Sequence, residues 1–455
     1  MPEPTPAGPM DARPAGRSDR DPAGTPSALV AGDWHLASVT IAGLLELGYA
    51  VRCWTDDAAA FERIVSGTRA ANEPRVRDIL RDGLSRGRLA AALGLLPATE
   101  AARDCDLGIV AFDSSTTADG RMVDARPIRA AEHLLASHGG ERPVVMSSQV
   151  RAGTLDGVLR AAGLPADSPA LVHLPENLRL GRAIDDFLRP HRVIVGCNAA
   201  TPPTAVEALL TALAPRNTLR MRLAEAELVK HGTNAYLAAC ITLANDVGTI
   251  AARLGADPWR VLAGVRADER VAPGAPLRPG EAYSGATLQR DVRALWEAGM
   301  AIGRDGLFRA ISQSNAVHAL QPVALLDRCL DGLDGRRICL LGLTYKPDVS
   351  TLRDSAAVRL AHELAALGCR VTAYDPVAEP DPLDGVQRCG SLAEAAADAD
   401  CLVLTVEHDE FARLSEPDFR PLRPRHHVLV RTRSPERASR VATPAGWRSV
   451  DLWQP

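Results

Sequence analysis

From Ala28 onward, short apolar runs alternate with Ala/Leu-rich segments of helical period, and this alternation leaves few architectures open. "ALVAG" reads as a strand, "SVTIAGLLELG" as a helix and "AVRCW" as the next strand; "DLGIVAF", "RPVVMSS" and "RVIVGC" follow as further strands between helical patterns. A helix between two strands returns the chain to the same end of the sheet, so the strands pair in parallel and the helices cover both faces. The texture then breaks. "RLAEAELVKHGTNAYLAACITLANDVGTIAARLGA" has no Pro and one helical period, long enough for a central connecting helix. After Gly335 the strands resume with "RRICLLGL", "RVTAYDP", "DCLVLTV" and "HHVLV", around the helix "SAAVRLAHELAALG". The expected fold is α/β: two doubly wound parallel-sheet domains joined by a central helical region. The boundaries fall at 1–27 for a tail, 28–215, 216–325 and 326–455.

A chain of 455 residues exceeds one core, in keeping with several domains. Its net charge of -4 gives no general attraction to nucleic acid or anionic membrane, and aromatics at 4% argue against stacking platforms for single strands. No run approaches the roughly 20 apolar residues a membrane helix needs. The nine Cys are scattered without a CxxC pair, which argues against bound zinc or a disulfide scaffold and suits a reducing cytoplasm. "MPEPTPAGPMDARPAGRSDRDPAGTPS" is rich in Pro, Gly and charge, has no apolar signal-peptide core, and reads as a disordered tail.

"LVAGDWHLASVTIAGLLELGYAVRCWTDD" has the layout of a dinucleotide-binding unit: strand, tight turn, helix, strand, acidic end. Glycines in such a turn let the backbone approach a pyrophosphate resting on the helix N-terminus. The G-x-G-x-x-G positions hold Gly32, Trp34 and Ala37, so an indole replaces the second glycine. Thr55 stands where an acid would bind ribose hydroxyls, with Asp56 and Asp57 just beyond. By itself this stretch is equally compatible with a βαβ unit that binds nothing.

Further segments narrow the choice. "EPRVRDIL", "FDSSTTADGRMVDARPI", "SSQVRAGT", "PENLRLGRAIDDFLRPHRVIVG", "AELVKHGTNAYLAACITLANDV", "LGLTYKPDVSTLRDS", "AYDP" and "TVEHDEF" occur in that order. Together they resemble the UDP-glucose/GDP-mannose dehydrogenase family over roughly residues 28–430. The resemblance implies a Rossmann-like NAD domain, a central helix forming a homodimer interface, and a C-terminal domain for the nucleotide-sugar substrate. It implies neither a nucleic-acid nor a membrane partner. Gly32, Trp34, His35, Asp57, Ser114 and Ser148 correspond to positions around the cofactor. Asn177, Leu178, Arg179, Tyr283, Gly285, Lys346 and Arg353 correspond to positions around the nucleotide-sugar, and Arg270 to an arginine usually donated by the partner subunit.

The resemblance also implies the reactive set. Lys230 and Asn234 are four apart on one helix face, where a cation and an amide can stabilise an oxyanion; without the resemblance, the pair reads first as an exposed polar face. Asn245 lies three turns on, as a core or supporting residue. Asp291 is expected to move a proton, directly or through a water held with Lys230, or else to favour the dipole at the start of the helix "VRALWEAG". Glu176 matches a family glutamate near the reacting carbon.

The loop "PGEAYSGATLQRD" aligns with the family's G-G-x-C-L-P-K-D segment. Thr287 stands at its Cys, Gln289 at its Pro, Arg290 at its Lys and Asp291 at its Asp. A threonine hydroxyl is far less acidic than a thiol and needs a paired base to attack. No Cys lies between Cys240 and Cys329, so no small shift restores the nucleophile. Oxidation through a thioester is therefore not expected. A single hydride transfer is the leading reading, followed by a redox-neutral epimerase that keeps its NAD, and a non-catalytic nucleotide-sugar-binding homologue.

Overall fold

The computed structural model describes residues 24–67, 73–117, 120–284, 286–344, 347, 349–352, 355–378, 381–413, 428–431 and 447–453. Most of the tail, and Gly285, Lys346 and Arg353, lie outside the described residues.

The first lobe is built on β1 (Ser27–Ala31), β2 (Ala50–Thr55), β3 (Leu89–Leu93) and β4 (Leu107–Val110). The small hairpin β5 (Ser115–Thr116) and β6 (Met122–Val123) follows, and then β7 (Val144–Met146), β8 (Leu171–His173), β9 (Arg192–Gly196) and β10 (Asn217–Met221). Its eight strands run in the order β10-β9-β8-β7-β4-β1-β2-β3, parallel except where β8 meets β9. Chain order reverses beside β1, which neighbours both β2 and β4. At such a switch point the strand C-termini diverge and leave a crevice.

The second lobe repeats the plan with β11 (Arg337–Leu341), β12 (Arg370–Tyr374), β13 (Val386–Arg388), β14 (Cys401–Leu404), β15 (Val428–Arg431) and β16 (Arg448–Asp451). Their order is β13-β12-β11-β14-β15-β16, all parallel, with β11 at the switch point. Both lobes are thus α/β and doubly wound, as expected. The strands absent from the sequence reading are β3, β5, β6, β8, β10, β13 and β16; of these, β3 ("LAAAL") is Ala-rich and β10 ("NTLRM") largely polar.

Two boundaries move. β10 pairs with β9 along its whole length and carries the first lobe to Met221, past the expected 215. Leu325, Leu326 and Leu330 of the helix Gln321–Leu330 belong to the second lobe's core, which therefore recruits residues before 326.

Between the lobes the helix Leu223–Arg253 runs for 31 residues. By length and composition alone it could cross a membrane, with a hydropathy of 1.3 in its most apolar window. Its inward face nevertheless carries Lys230, His231, Asn234 and Asn245, all buried against the rest of the chain. Small residues make that packing close: Ala235 and Ala238 receive Leu288, Val292 and Leu295 of the helix Ala286–Met300. Its opposite face leaves Leu228, Tyr236, Leu243 and Ile250 about half exposed, at 48–59%.

Candidate active site

The crevice beside β1 holds the cofactor positions. The turn after β1 brings Gly32 so close to the chain leaving β4 that a Cβ there would lie 2.5 Å from Ala111 O. The same Cβ would lie 2.6 Å from the Cβ of Ala37, so Ala37 does the helix-packing work of the motif's third small residue. Only the second glycine position is truly changed. There Trp34 takes an extended conformation as N-cap of the helix His35–Glu46 and offers no side-chain cap. The backbone cradle of a dinucleotide site is intact, and the residues present fit the group.

Two expected cofactor residues act otherwise. The His35 ring pairs with buried Glu73 at 3.0 Å, and Glu73 also accepts from Gly181 N and Ala183 N at 2.6 and 2.9 Å. What His35 can offer a cofactor is its backbone at the first helical position. The Asp57 carboxylate caps the helix Ala58–Val65 by accepting from Ala60 N at 2.7 Å. The neighbouring acid at the end of β2, Asp56, has its side chain 77% accessible and paired with Arg126 at 2.6 Å. Arg126 also holds Asp33 at 2.6 Å and stacks over Phe112 at 4.4 Å. Ser148 Oγ donates to Val110 O at 3.2 Å, and Ser114 Oγ donates to Gln149 O, so both hydroxyls bind the crevice's own backbone.

Lys230 and Asn234 lie on the buried face of the central helix, not on an exposed polar one. Lys230 Nζ donates to Glu176 O at 2.6 Å and stands 3.7 Å from Glu176 Oε1. The other Glu176 oxygen accepts from Leu178 N at 2.7 Å. Asn234 Nδ2 donates to Asp291, which is completely buried. Arg290 Nε also donates to Asp291 at 3.2 Å, and His231 Nδ1 lies 3.2 Å from the same oxygen. His231 Nε2 faces Val150 O at 2.9 Å, and Gln149 lies against the ring.

Burial alone would raise the Asp291 pKa. The Arg290 guanidinium and the His231 and Asn234 hydrogen bonds outweigh that and hold it at about 2. A carboxylate so stabilised is a poor proton acceptor near neutrality. Through these hydrogen bonds Asp291 anchors His231, Asn234 and Arg290. It does not start a helix: the helix begins at Ala286, so Asp291 sits in its second turn. Gln289 keeps the backbone N–H that a Pro at that position would lack, and Leu288 and Val292 fasten this turn to the central helix. Thr287 is exposed on the first turn and, among the described residues, makes no hydrogen bond to the Asp291 cluster.

The sequence reading passed over His231, Gln149, Arg290 as an ion-pair partner, and Glu227. His231 and Asn234 stand three apart on one face, a signal the Lys230–Asn234 pair overshadowed. Glu227, one turn earlier, accepts from Gly153 N at 2.7 Å and Leu155 N at 2.9 Å, tying the loop after β7 to the central helix. Burial pushes Glu227 up to about 7, against the pull of those two donors. Asn245 holds the approach to the loop from both sides, accepting from Gly280 N at 2.9 Å and donating to Glu281 O at 3.0 Å.

The expected substrate residues fall into three groups. Asn177, Leu178 and Arg179 line, with Glu176, a largely apolar cleft of about 540 Å³ in the first lobe, where Arg179 forms a bidentate pair with Asp186 at 2.9 and 2.6 Å. Tyr283 lines a second cleft, of about 290 Å³, with Arg359 and Thr405 of the second lobe; burial pushes its hydroxyl up to about 12, although Arg359 lowers it. Arg270 belongs to neither, being 85% exposed and paired with Asp268 at 2.7 Å.

A dinucleotide cradle in one doubly wound lobe, a second lobe of the same plan, and a cation–amide pair on the long helix that joins them define a two-lobed nucleotide-binding protein. Models of the UDP-glucose/GDP-mannose dehydrogenase family match its NAD-binding domain at residues 29–213, its central domain at 224–317 and its UDP-binding domain at 339–435. UDP-glucose 6-dehydrogenase of Pseudomonas aeruginosa is 31% identical over 416 residues, covering 87% of this chain and 90% of the relative. The Rhizobium meliloti enzyme of the same name is 29% identical, covering 90% and 95%. Among solved structures, a UDP-glucose dehydrogenase from Pyrobaculum islandicum superposes with a TM-score of 0.80 at 27% identity, covering 95% of this chain and all of that one. The chain belongs to the UDP-glucose/GDP-mannose dehydrogenase family, and its first lobe is the family's NAD-binding domain.

Proposed function

We propose that the protein is an NAD-dependent oxidoreductase of UDP-sugars that removes one hydride from a CH–OH carbon and forms no thioester. The observation that carries this reading is the buried pair Asn234 and His231 on Asp291, with Lys230 of the same helix held against Glu176, next to a loop that offers Thr287 in place of a thiol. NAD supplies the hydride acceptor. The rest is work for the chain's own side chains: as the C–H bond breaks, the alcohol oxygen becomes a carbonyl and its proton must leave. Lys230 and Asn234 are placed to stabilise negative charge on that oxygen. Glu176, a quarter exposed and beside the Lys230 ammonium, receives the proton in place of the anchored Asp291.

No other cysteine takes over. All nine are free, and burial raises Cys53 and Cys339 to about 12 and Cys105 to about 11, the opposite of an activated thiolate. Cys240, on the central helix, is buried among Ala244, Leu262, Ala275 and Leu277. The cleft lined by Tyr283 and Arg359 is our site for the nucleotide-sugar. The half-exposed face of the central helix is our homodimer interface in a cytoplasmic enzyme, with Arg270 reaching the partner's site.

Incubation with UDP-glucose and other UDP-, GDP- and dTDP-sugars plus NAD tests the reading, by absorbance of reduced cofactor and product mass. One reduced cofactor per aldehyde or ketone is expected. Carboxylate with two reduced cofactors per sugar overturns it. A changed sugar without net reduction is the outcome of an epimerase, and binding without turnover that of a non-catalytic homologue.

A further inference from the structure

The crevice that receives NAD already holds an anion. Asp113, in the chain leaving β4, accepts from Leu36 N at 3.0 Å, in the first turn of the helix His35–Glu46. The N-terminal N–H groups of that helix are what a dinucleotide's pyrophosphate engages, because they carry unsatisfied donors and the positive end of the helix dipole. The N-cap, Trp34, supplies no side-chain oxygen of its own, so the donor is met from across the crevice. β4 is the strand beside β1, and Ala111 O packs on Gly32 as described above, which puts Asp113 at the switch point itself. Asp33 and Asp56 flank the same turn, and Arg126 is shared between them at 2.6 Å each.

We propose that Asp113 competes with the NAD pyrophosphate for the N-terminus of the helix His35–Glu46, so that cofactor enters only as this carboxylate leaves Leu36 N. The competition rests on the first lobe being the NAD-binding domain and not on the reaction it serves. It makes the protein's affinity for NAD the difference between two anions at one site, and Asp113 the residue that sets it. An uncharged amide at this position can still meet a donor but no longer repels phosphate, so its replacement loosens the competitor without opening a cavity.

The test is calorimetric titration of the full chain with NAD, for wild type, Asp113→Asn and the exposed Asp78→Asn as a control of equal charge change. Asp113→Asn should bind NAD about fivefold more tightly or better, the scale of one anion at a helix N-terminus, while Asp78→Asn stays within about twofold of wild type. An Asp113→Asn affinity equal to or weaker than wild type, in a protein that still unfolds cooperatively, overturns the proposal. Should that variant fail to fold, wild type decides: with Asp113 in competition, ADP gains less than about fivefold over adenosine from its phosphates, and a larger gain overturns the proposal.

Discussion

The two lobes share one topology and use it differently. In each, the first strand ends in a glycine turn leading into a helix, and the second strand ends at an acid. In the second lobe that acid is Asp375, whose side chain is shielded from solvent. It accepts from Leu343 N at 2.6 Å and Thr344 N at 2.9 Å, in the turn after β11, and pairs with His408 at 3.0 Å. Its other oxygen accepts from Val377 N and Ala378 N. In the first lobe Asp56 stands exposed, and the turn's donor is met by Asp113 from another strand. One acid has become part of the framework, while the other remains available to a ligand. A Rossmann-like plan therefore does not identify a dinucleotide site; the partners of the acid after the second strand do.

The largest effect expected from this contrast is on stability. Asp375→Ala removes one partner from a buried, charged hydrogen-bond hub and should cost on the order of 3–5 kcal/mol. The pH dependence has a definite sign. Burial would raise the Asp375 pKa, but the His408 and backbone hydrogen bonds outweigh it and hold it well below the usual carboxylate range. Its contribution is therefore present above the unfolded value of roughly 3.9 and is lost as pH falls below that value toward the folded one. Thermal unfolding of wild type and variant between neutral and acidic pH should converge at the acid end; a constant gap would contradict this role.

Glycine substitutions separate the lobes next. Gly342 has φ 97°, and a Cβ there would lie 2.5 Å from the Val406 Cβ, so Gly342→Ala should destabilise the second lobe by ~2 kcal/mol or more. It should leave NAD affinity unchanged. Gly32→Ala places its Cβ 2.5 Å from Ala111 O and should weaken NAD binding more than about tenfold. Calorimetry with NAD on both variants checks the pair, and equal losses of affinity would erase the distinction.

The shared helix gives a smaller, pH-dependent effect. Burial lifts Glu227 to about 7 in the fold, above the ordinary glutamate value of 4.5, so the folded state holds more protons between those values. Stability should fall as pH rises through that interval and level off above it, by ~1–3 kcal/mol in total. Glu227→Gln should flatten the slope in a denaturation series; an unchanged slope would show that another group is responsible. The smallest effect belongs to Asp56→Ala: within about 0.5 kcal/mol on unfolding, because the side chain is exposed, yet a loss of NAD affinity of a few-fold. A stability loss comparable to that of Asp375→Ala would break the comparison between the lobes.

How much was legible follows from which signals are local. The strands β1, β2, β4, β7, β9, β11, β12, β14 and β15 announced themselves by compact apolar runs. β3 and β10 did not, because at a sheet edge pairing on one side suffices and the sequence need not be strongly apolar. Lys230 and Asn234 were readable from their spacing and motif, and their burial agrees with a site. The work done by His35, Asp57 and Asp291 was not readable, since each is fixed by a partner distant in sequence or by a helix boundary.

The sequence by itself determined the α/β alternation, the two lobes and their connecting helix, the family motifs and the loss of the loop cysteine, because period, turn residues and residue identity are properties of the chain. Only the tertiary structure decided what each carboxylate meets. Asp291, Asp375 and Asp57 are committed to donors, while Asp56 is exposed and Asp113 sits on the cofactor's helix. A carboxylate's chemistry depends on its burial and on the donors within about 3 Å of it, and folding brings most of those donors from elsewhere in the chain.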